Sequence, residues 1–422
     1  MSKLTIPKNY SSALNLHDTQ LAIKTVKDFF QGMLAQRLSL TRVSAPLFVD
    51  PTTGLNDNLN GYERPVTFGI LEQGDKEAEV VHSLAKWKRY ALKKYGFSLG
   101  EGIYTDMNAI RRDEETDNIH SIFVDQWDWE KVIRKEDRNL DFLEETVKTV
   151  YKCLRKTEQY MAIQYDYIDL ILPKDITFIT TSELEEMFPD NTPKEREYYF
   201  AKAKGAICVM QIGDKLANGE PHDGRAPDYD DWALNADIIV YYPVLDIALE
   251  LSSMGIRVDE KSLKEQLDKA GCPERAKLPF QKAILNKELP YTIGGGIGQS
   301  RICMFFLRKA HIGEVQSSLW PEETIKECEE HGIQFLYSAY HTLLFVIKNL
   351  LCQTSMTQQV YYFLFFSFSI CITKISINAC AAIIYTNILH AALICELSLS
   401  NCQWVLLFMI LFGSFIVKPS SS

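Results

Sequence analysis

The spacing of hydrophobic positions changes from a helical period to a strand period along the first part of the chain. Apolar residues recur at helical intervals in AIKTVKDFFQGMLAQRL, which predicts an amphipathic opening helix. Its apolar positions are Ile23, Val26, Phe29, Phe30, Met33, Leu34 and Leu38. The next segment, SLTRVSAPLFVDP, predicts one strand that ends at Pro51.

Four further segments predict strands paired as hairpins, with helices between them. A strand followed by a basic helix is predicted for AEVVHSLAKWKRYALKKYG. Two strands around a polar loop, and then the start of a helix, are predicted for GIYTDMNAIRRDEETDNIHSIFVDQWDWEKVI. DIIVYYPVLDIALELSSMGIRV predicts two strands, and PYTIGGGIGQSRICMFFL predicts a strand, a glycine run and a helix. Because helices interrupt hairpin-like pairs here, we expect an α+β fold with an antiparallel or mixed sheet.

The sequence divides the chain into three parts. Residues 18–336 form one continuous domain of helices and strands in this interpretation, after an N-terminal extension at 1–17. Residues 337–422 form a hydrophobic tail of unknown role with few charged side chains, which are Lys348, Lys374, Glu396 and Lys418. Runs such as VYYFLFFSFSICI are shorter than the ~20 residues of a membrane span, so membrane contact by the tail stays open but is not favoured.

Composition narrows the class of protein. The 422 residues carry a formal charge of -10, which argues against a nucleic-acid partner because such binding relies on basic surface. The ten cysteines form no CxxC pair, so neither a zinc ribbon nor a secreted disulfide framework is indicated. The N-terminus has no apolar signal-like stretch, and we expect a reducing, cytoplasmic location.

The glycine run GGGIGQSR is the first candidate binding element. It matches neither a Walker loop nor a Rossmann fingerprint, and it is better described as G-x-G-x-x-R ending in Arg301. Gly296 and Gly298 let the backbone lie flat under a ligand ring, with Arg301 on the first turn of the next helix. A second arginine, Arg111, ends a strand-like run. One such arginine alone is more often a structural ion-pair residue, but two of them on one nucleotide suit adenylate transfer.

Carboxylates on neighbouring strands suggest a metal site. Glu250 and Asp237 are placed to hold Mg²⁺ beside an ATP phosphate chain, and the alternative is that they are ordinary acidic residues at strand ends. Ser253 and Arg257 follow Glu250, and Gly255 predicts a turn between them.

Two motifs suggest a pocket for a small amino acid. In VVHSLAKWKR, basic side chains crowd a strand-to-helix junction suited to a carboxylate, and the alternative is a solvated basic helix face. The residues concerned are Ser83, Lys86, Lys88 and Arg89. In FVDQWDWE, Gln126 and Asp128 share one strand face and present an amide and a carboxylate, while Trp127 and Trp129 pack on the other face.

Two polar loops complete the candidate chemistry. Asp57 lies in the turn-rich segment GLNDNLNG, where most such residues only cap their own loop. HDGRAPDYDDW collects several carboxylates but lacks the spacing of a calcium loop. Its titratable residues are His222, Asp223, Asp228, Asp230 and Asp231.

Taken in order, these segments resemble one family. VVHSLAKWKR, FVDQWDWE, RAPDYDDW, ELSSMGIRV and TIGGGIGQSR are similar to motifs of ammonia-dependent asparagine synthetases, the aspartate–ammonia ligases, over about residues 18–328. The resemblance implies the catalytic fold of class II aminoacyl-tRNA synthetases, with helices flanking an antiparallel sheet, a homodimer and a bent ATP. Arg111 and Arg301 then occupy the arginine positions of motifs 2 and 3 of that class.

The resemblance also implies a reaction and site residues. The β-carboxylate of L-aspartate attacks the α-phosphorus of ATP, giving β-aspartyl-AMP and diphosphate, and ammonia then displaces AMP. Catalytic roles fall to Asp57, Arg111 and Arg301, with Asp57 near the ammonia. The substrate-binding residues implied are Asp57, Ser83, Lys88, Gln126, Asp128, Ser253 and Arg257. The ATP-binding residues implied are Arg111, Ser121, Asp230, Asp237, Glu250, Gly296, Gly298 and Arg301, with Mg²⁺ on Glu250 and Asp237.

Two features depart from the family pattern. The loop after DYDDW is shortened, since only Ala233 separates Trp232 from Leu234, and the hydrophobic tail is an addition. Three alternatives to a ligase are an aminoacyl-tRNA synthetase, a catalytically inactive relative and a membrane-anchored protein with an incidental enzyme domain. The first would need an anticodon-binding module, for which the sequence before residue 18 leaves no room.

Overall fold

An eight-stranded sheet forms the centre of the protein in the computed structural model, which describes residues 4–57, 59 and 63–337. A separate three-stranded sheet lies beside it. The strands are β1 (Leu40–Arg42), β2 (Phe48–Val49), β3 (Thr67–Ile70), β4 (Lys76–Val80), β5 (Gly102–Ile110), β6 (Phe123–Val132), β7 (Thr177–Thr180), β8 (Ala206–Met210), β9 (Asp230–Tyr242), β10 (Ile247–Arg257) and β11 (Thr292–Gly298).

The large sheet is mixed, as the hairpin-like sequence pattern predicts. Its strand order is β1-β5-β6-β11-β10-β9-β8-β7, and all neighbours pair antiparallel except β1 with β5 and β7 with β8 at the two edges. The small sheet has the antiparallel order β2-β4-β3. The glycine strand β11 therefore lies in the middle of the large sheet, between β6 and β10.

Helices surround the sheets, and the opening helix is confirmed. The helices are α1 (Leu16–Leu38), α2 (Ala85–Tyr95), α3 (Leu140–Gln164), α4 (Thr181–Met187), α5 (Pro193–Lys204), α6 (Glu260–Lys269), α7 (Pro279–Leu285), α8 (Gln299–Phe306) and α9 (Glu322–Glu330). Helix α1 begins after Asn15, whose side chain accepts a hydrogen bond from the Asp18 backbone N–H at 2.9 Å. Within the described part of the chain, no helix is long and apolar enough to cross a membrane.

The main core lies between the sheet and helices α1 and α3. Phe30 of α1 packs against Trp127 of β6, with ring centroids 4.9 Å apart. Trp127 and Trp129 are fully buried in this core, so the opposite face of β6, with Gln126 and Asp128, is turned toward the candidate site. This strand-face assignment confirms the prediction from FVDQWDWE.

Three local predictions are wrong. SLTRVSAPLFVDP does not form one strand, because β1 pairs with β5 and β2 with β4 in the other sheet, and Pro46 between them has no N–H to give to a ladder. The residues predicted to start a helix continue β6 to Val132, since they pair with both β5 and β11. Gly255 makes no turn, because it lies inside β10 opposite Asn235.

The segment predicted as an N-terminal extension is attached to the catalytic domain. The Thr5 backbone N–H donates to the Asn118 side chain at 2.7 Å, and Asn118 Nδ2 donates back to the Thr5 carbonyl at 2.8 Å. The Tyr10 hydroxyl donates to Glu314 at 2.9 Å. The domain bounds remain predictions, and the tail from residue 338 lies outside the described residues.

Candidate active site

A cavity of about 450 Å³ opens on the face of the sheet opposite the main core. Strands β6, β10 and β11 all contribute to it, together with the β5–β6 loop and the loop before β9. The predicted site residues that line it are Asp57, Ser83, Lys88, Arg111, Ser121, Gln126, Asp128, Asp230, Glu250, Ser253, Arg257, Gly296, Gly298 and Arg301. Asp237 does not line the cavity. It lies opposite Ser253 in the β9–β10 ladder, and Ser253 does line the cavity.

Glycines of β11 form part of the cavity wall, and polar side chains from neighbouring strands lie directly over them. Gly296 stands opposite Asp128 on one side and Ser253 on the other. A Cβ on Gly296 would lie 2.9 Å from Cδ of Gln126, and one on Gly294 would lie 2.7 Å from Nη2 of Arg257. The glycines therefore make room for these polar side chains as well as for a ligand.

Lys88 and Asp128 form a buried ion pair at the end of the cavity. The Lys88 ammonium also donates to the carbonyls of Trp129 at 2.9 Å and Gly295 at 3.2 Å. Burial lowers the pKa of Lys88, and the carboxylate of Asp128 opposes that shift. The second oxygen of Asp128 accepts from the Leu84 backbone N–H at 3.1 Å, so the carboxylate is held in one orientation.

Arg257 is fixed between two carboxylates. Its Nη2 donates to Glu130 at 2.8 Å, and its Nη1 pairs with Asp230. Burial alone would raise the pKa of Glu130, but the charges of Arg257 and Lys88 outweigh it, so the pKa is lowered. Burial raises the pKa of Asp230 in spite of Arg257. The guanidinium is thus oriented before any substrate arrives.

The other basic residues of VVHSLAKWKR do not form a solvated helix face. Lys86 is buried and pairs with Asp228 at 3.2 Å. Arg89 is buried and donates to the carbonyls of Pro290 at 2.8 Å and Val258 at 2.7 Å. Burial lowers the pKa of Arg89 to about 10. Neither side chain lines the cavity, so both support its wall instead of contacting a ligand there.

Asp57 and Ser83 meet at another part of the wall. The Ser83 hydroxyl donates to Asp57 Oδ2 at 2.7 Å, while the Leu59 backbone N–H donates to Asp57 Oδ1 at 2.8 Å. Asp57 is buried, and its own N–H donates to the Asn56 side chain at 2.9 Å. Asp57 therefore does cap its own loop, and it also reaches a residue that is far away in sequence.

The two predicted arginines lie on the same cavity. Arg301 stands on the first turn of α8, where it donates to the Glu250 carbonyl at 3.1 Å and lies 3.9 Å from Glu250 Oε2. The Nε atom of Arg111 is buried without a hydrogen-bond partner among the described residues. Ser121, which lies in the same β5–β6 connection as Arg111, hydrogen-bonds Ser318 at 2.9 Å.

Two cations that the sequence analysis missed line the cavity beside the predicted metal ligands. Arg225 pairs with Asp237, and Lys194 lies 3.7 Å from Asp223. Arg225 is the one arginine in HDGRAPDYDDW, where it stands among carboxylates and could have been selected, whereas Lys194 lies in a helix with many charged residues. Burial alone would raise the pKa of Glu250, but the charges of Arg301 and Arg225 outweigh it and lower the pKa.

Glu250 and Asp237 are compatible with one Mg²⁺ ion. Asp237 Oδ1 is buried and has no hydrogen-bond partner among the described residues, and Glu250 is kept ionised by its neighbours. Two carboxylates plus substrate phosphates are a usual ligand set for Mg²⁺. The part of the chain that is described contains no group of three or more His, Cys, Asp or Glu side chains able to hold a metal by itself.

Cations or hydrogen bonds engage the side chains of the acidic loop individually. Asp231 pairs with Arg138 at 2.7 Å, and His222 hydrogen-bonds Glu197 at 3.0 Å. The shortened loop after Trp232 is a bulge inside β9, since Asp230 pairs with Arg257 and Asn235 with Gly255.

The fold is shared with solved tRNA synthetases. It is similar to asparaginyl-tRNA synthetase from Pyrococcus horikoshii complexed with asparaginyl-adenylate, at a TM-score of 0.52 and 14% identity over 72% of this chain and 70% of that one. The asparaginyl-tRNA synthetase of Entamoeba histolytica gives a TM-score of 0.50 at 11% identity, over 71% of this chain and 66% of that one. These similarities confirm the class II aminoacyl-tRNA synthetase fold.

Sequence relatives identify the family. A family model described as aspartate-ammonia ligase matches residues 17–332. The chain is 61% identical to the aspartate–ammonia ligase of Ruminiclostridium cellulolyticum, over 80% of this chain and 100% of that protein. It is 60% identical to that of Fusobacterium nucleatum, over 78% and 99%. The chain therefore belongs to the aspartate–ammonia ligase family and is a ligase that uses ATP to make asparagine from aspartate and ammonia.

Proposed function

We propose that the chain activates aspartate as β-aspartyl-AMP before ammonia enters. An oxygen of the aspartate β-carboxylate forms a bond to the α-phosphorus of ATP, and the bond from that phosphorus to the β-phosphate oxygen breaks. Diphosphate carries away the electron pair. Ammonia then attacks the acyl carbon, the bond to AMP breaks, and asparagine and AMP leave.

The observation that carries this proposal is the position of Arg111 and Arg301 on one cavity, with Arg111 Nε lacking a partner among the described residues. The first step brings a carboxylate anion to a polyphosphate anion, so fixed cations lower its barrier. Donors aimed at developing charge are each worth on the order of 10² to 10³ in rate. Ser121, Gly296, Gly298 and Asp230 border the same space and would contact the nucleotide.

Mg²⁺ would be held by Glu250 and Asp237 together with the phosphates of ATP. When bound, the ion neutralises charge on the phosphates and on the departing diphosphate. The protein contributes the two carboxylates, and it keeps Glu250 ionised through the charges of Arg301 and Arg225, which overcome the effect of burial.

Aspartate would bind across the strands that carry Gln126, Asp128 and Arg257. Asp128, held by Lys88 and the Leu84 N–H, presents its carboxylate to the substrate ammonium. Arg257, oriented by Glu130 and Asp230, presents its guanidinium to a substrate carboxylate. Ser83 and Ser253 supply further polar contacts at the cavity wall, whereas Lys88 acts through Asp128.

Asp57 would bind ammonium and accept a proton, because only neutral ammonia is a nucleophile. Its Oδ2 atom accepts one hydrogen bond from Ser83, and it retains further lone pairs. In an Asp57→Asn variant we expect a raised KM for ammonia and a reduced kcat, with normal aspartate-dependent diphosphate exchange. Unchanged ammonia kinetics would remove this role from Asp57.

An isotope experiment tests the adenylate route. The purified chain is incubated with ATP, Mg²⁺, ammonium and aspartate labelled with ¹⁸O in the β-carboxylate. We expect one ¹⁸O atom in the phosphate of AMP and unlabelled diphosphate. Formation of ADP, with the label in inorganic phosphate, would overturn the adenylate route and leave the family assignment untouched.

Assembly and location are part of the same proposal. We expect a homodimer in the cytoplasm, with no nucleic-acid partner, on the basis of the family resemblance and the acidic charge of -10. Light scattering of the purified chain measures the oligomeric state. Carbonate extraction of cell membranes tests whether the tail contacts a membrane, because a protein anchored by the tail would stay in the pellet.

A further inference from the structure

Arg225 stands where a cation is needed by the carboxylates proposed to hold Mg²⁺. Its guanidinium pairs with Asp237, and Glu250 is close enough for the charge of Arg225 to act on it. The side chain is only 14% exposed, yet it lines the cavity. A buried carboxylate without a cation is costly, and Arg225 offsets part of that cost for Asp237.

Arg225 also lies near a second carboxylate, that of Asp223. Its Nη1 lies 3.9 Å from Oδ2 of Asp223, the same carboxylate oxygen that lies 3.7 Å from the Lys194 ammonium. Arg225 belongs to the connection between β8 and β9, not to a strand, so its side chain can turn without disturbing the sheet. Asp237, in contrast, is fixed in β9 opposite Ser253.

We infer that Arg225 is a positioning residue that competes with Mg²⁺ for Asp237 and turns to the phosphates when the metal arrives with ATP. This inference rests on the proposed metal site at Glu250 and Asp237. Arg225 pairs with Oδ2 of Asp237 and leaves Oδ1 without a hydrogen-bond partner among the described residues, so a metal ion at Oδ1 would lie beside the guanidinium and be repelled by its charge. The anionic phosphates of ATP give the displaced guanidinium a new partner, which metal alone does not.

The consequence is coupled binding of metal and nucleotide. While Arg225 is paired with Asp237, its charge opposes a metal ion at the free oxygen, so the apparent metal affinity scales with the fraction of molecules in which Arg225 has left Asp237. ATP raises that fraction by attracting Arg225. The protein thus takes up metal together with ATP and holds little metal by itself.

The test uses Mn²⁺ as the probe, with free Mn²⁺ measured by electron paramagnetic resonance on the full chain. In Arg225→Gln we expect Mn²⁺ binding without ATP to tighten by about tenfold, and the effect of ATP on Mn²⁺ affinity to shrink. Lys194→Gln is the matched control, because it removes one positive charge from the same wall without freeing Asp237. We expect it to change Mn²⁺ affinity by less than about threefold.

If Arg225→Gln and Lys194→Gln change Mn²⁺ affinity equally, or not at all, Arg225 does not compete with the metal, while the proposed metal site is unaffected by that result. If Asp237→Asn and Glu250→Gln leave Mn²⁺ binding unchanged in the presence of ATP, the metal site itself is wrong and the inference fails with it. A crystal structure of the unmodified chain with Mg²⁺ and a non-hydrolysable ATP analogue serves if Arg225→Gln does not fold. Arg225 should then have left Asp237, and finding it still paired there beside a bound metal would refute the inference.

Discussion

The ammonium of Lys88 pairs with the carboxylate of Asp128 inside the protein, where both side chains are almost fully buried. Lys88 comes from helix α2 and Asp128 from the sheet strand β6, so the pair joins two elements that are 40 residues apart in sequence. The pair orients a carboxylate that faces the cavity, and it also ties the helix to the sheet.

Breaking this pair should cost stability. Asp128→Asn removes the nearer counter-charge of a buried ammonium and leaves only Glu130, whose carboxylate is 3.9 Å from it, so we expect the free energy of unfolding in urea to fall by about 3 kcal/mol. Lys88→Met in the same background should restore part of the loss, because it removes the unpaired charge. The surface pair Lys24–Asp28 is the control, and Asp28→Asn should leave the urea midpoint unchanged. A midpoint equally insensitive to Asp128→Asn would contradict the prediction.

His311 should contribute a loss of stability as the solution is acidified below pH 6.5. Burial lowers the pKa of His311 to about 4 from an ordinary value of 6.5. The folded state holds the neutral ring while the unfolded chain takes up a proton. This contribution to stability is therefore complete above pH 6.5, and it is lost as pH falls toward 4, at about 1.4 kcal/mol per pH unit.

Urea unfolding at pH 7, 6 and 5 measures the net slope of stability against pH, to which Asp237 contributes in the opposite sense because burial raises its pKa to about 7. Relative to the unmodified chain, His311→Asn should make this slope less positive, whereas His17→Gln, at an exposed position, should not change it. If both variants keep the slope of the unmodified chain, other groups account for the acid sensitivity.

Arg111 should be irreplaceable by lysine. A planar guanidinium can contact two phosphate oxygens, and an ammonium cannot, so Arg111→Lys should reduce aspartate-dependent diphosphate exchange by on the order of 10². The neighbouring Arg112 is exposed and does not line the cavity, which makes Arg112→Lys a matched control with unchanged exchange. Equal activity of the two variants would show that charge alone matters at position 111.

A methyl group at Gly296 should displace Gln126. The new Cβ would lie 2.9 Å from Cδ of Gln126. The backbone of β11 is paired with β6 on one side and β10 on the other, so we expect the side chain of Gln126 to move instead. We expect Gly296→Ala to lower kcat/KM for aspartate by on the order of 10², since small displacements of positioning groups have large effects. Gly32→Ala has no atom within 4 Å of its new methyl group, so activity should stay normal. In a helix it should raise stability by about 0.5–1 kcal/mol.

Local predictions succeeded where a periodic pattern spans an entire element. The opening helix, the β9–β10 hairpin and the two faces of β6 follow directly from the spacing of apolar residues. Predictions failed where the pairing partners of a strand decide its structure. The segment after α1 divides between two sheets, and Gly255 stays in a strand because it pairs with Asn235 of β9 and Gly294 of β11.

The sequence by itself determined the α+β class, the opening helix and, through its motifs, the family and fourteen of the residues that line the cavity. Only the tertiary structure decided what each charge does. Lys86, Lys88 and Arg89 look alike in VVHSLAKWKR, yet each has a different buried partner, and one of these is the carboxylate that faces the cavity. Arg225 emerged in the same way, from its pairing with Asp237. The physical reason is that the role of a charged side chain depends on how deeply it is buried and on which opposite charge lies beside it. Both are determined by strands and loops that are distant in sequence.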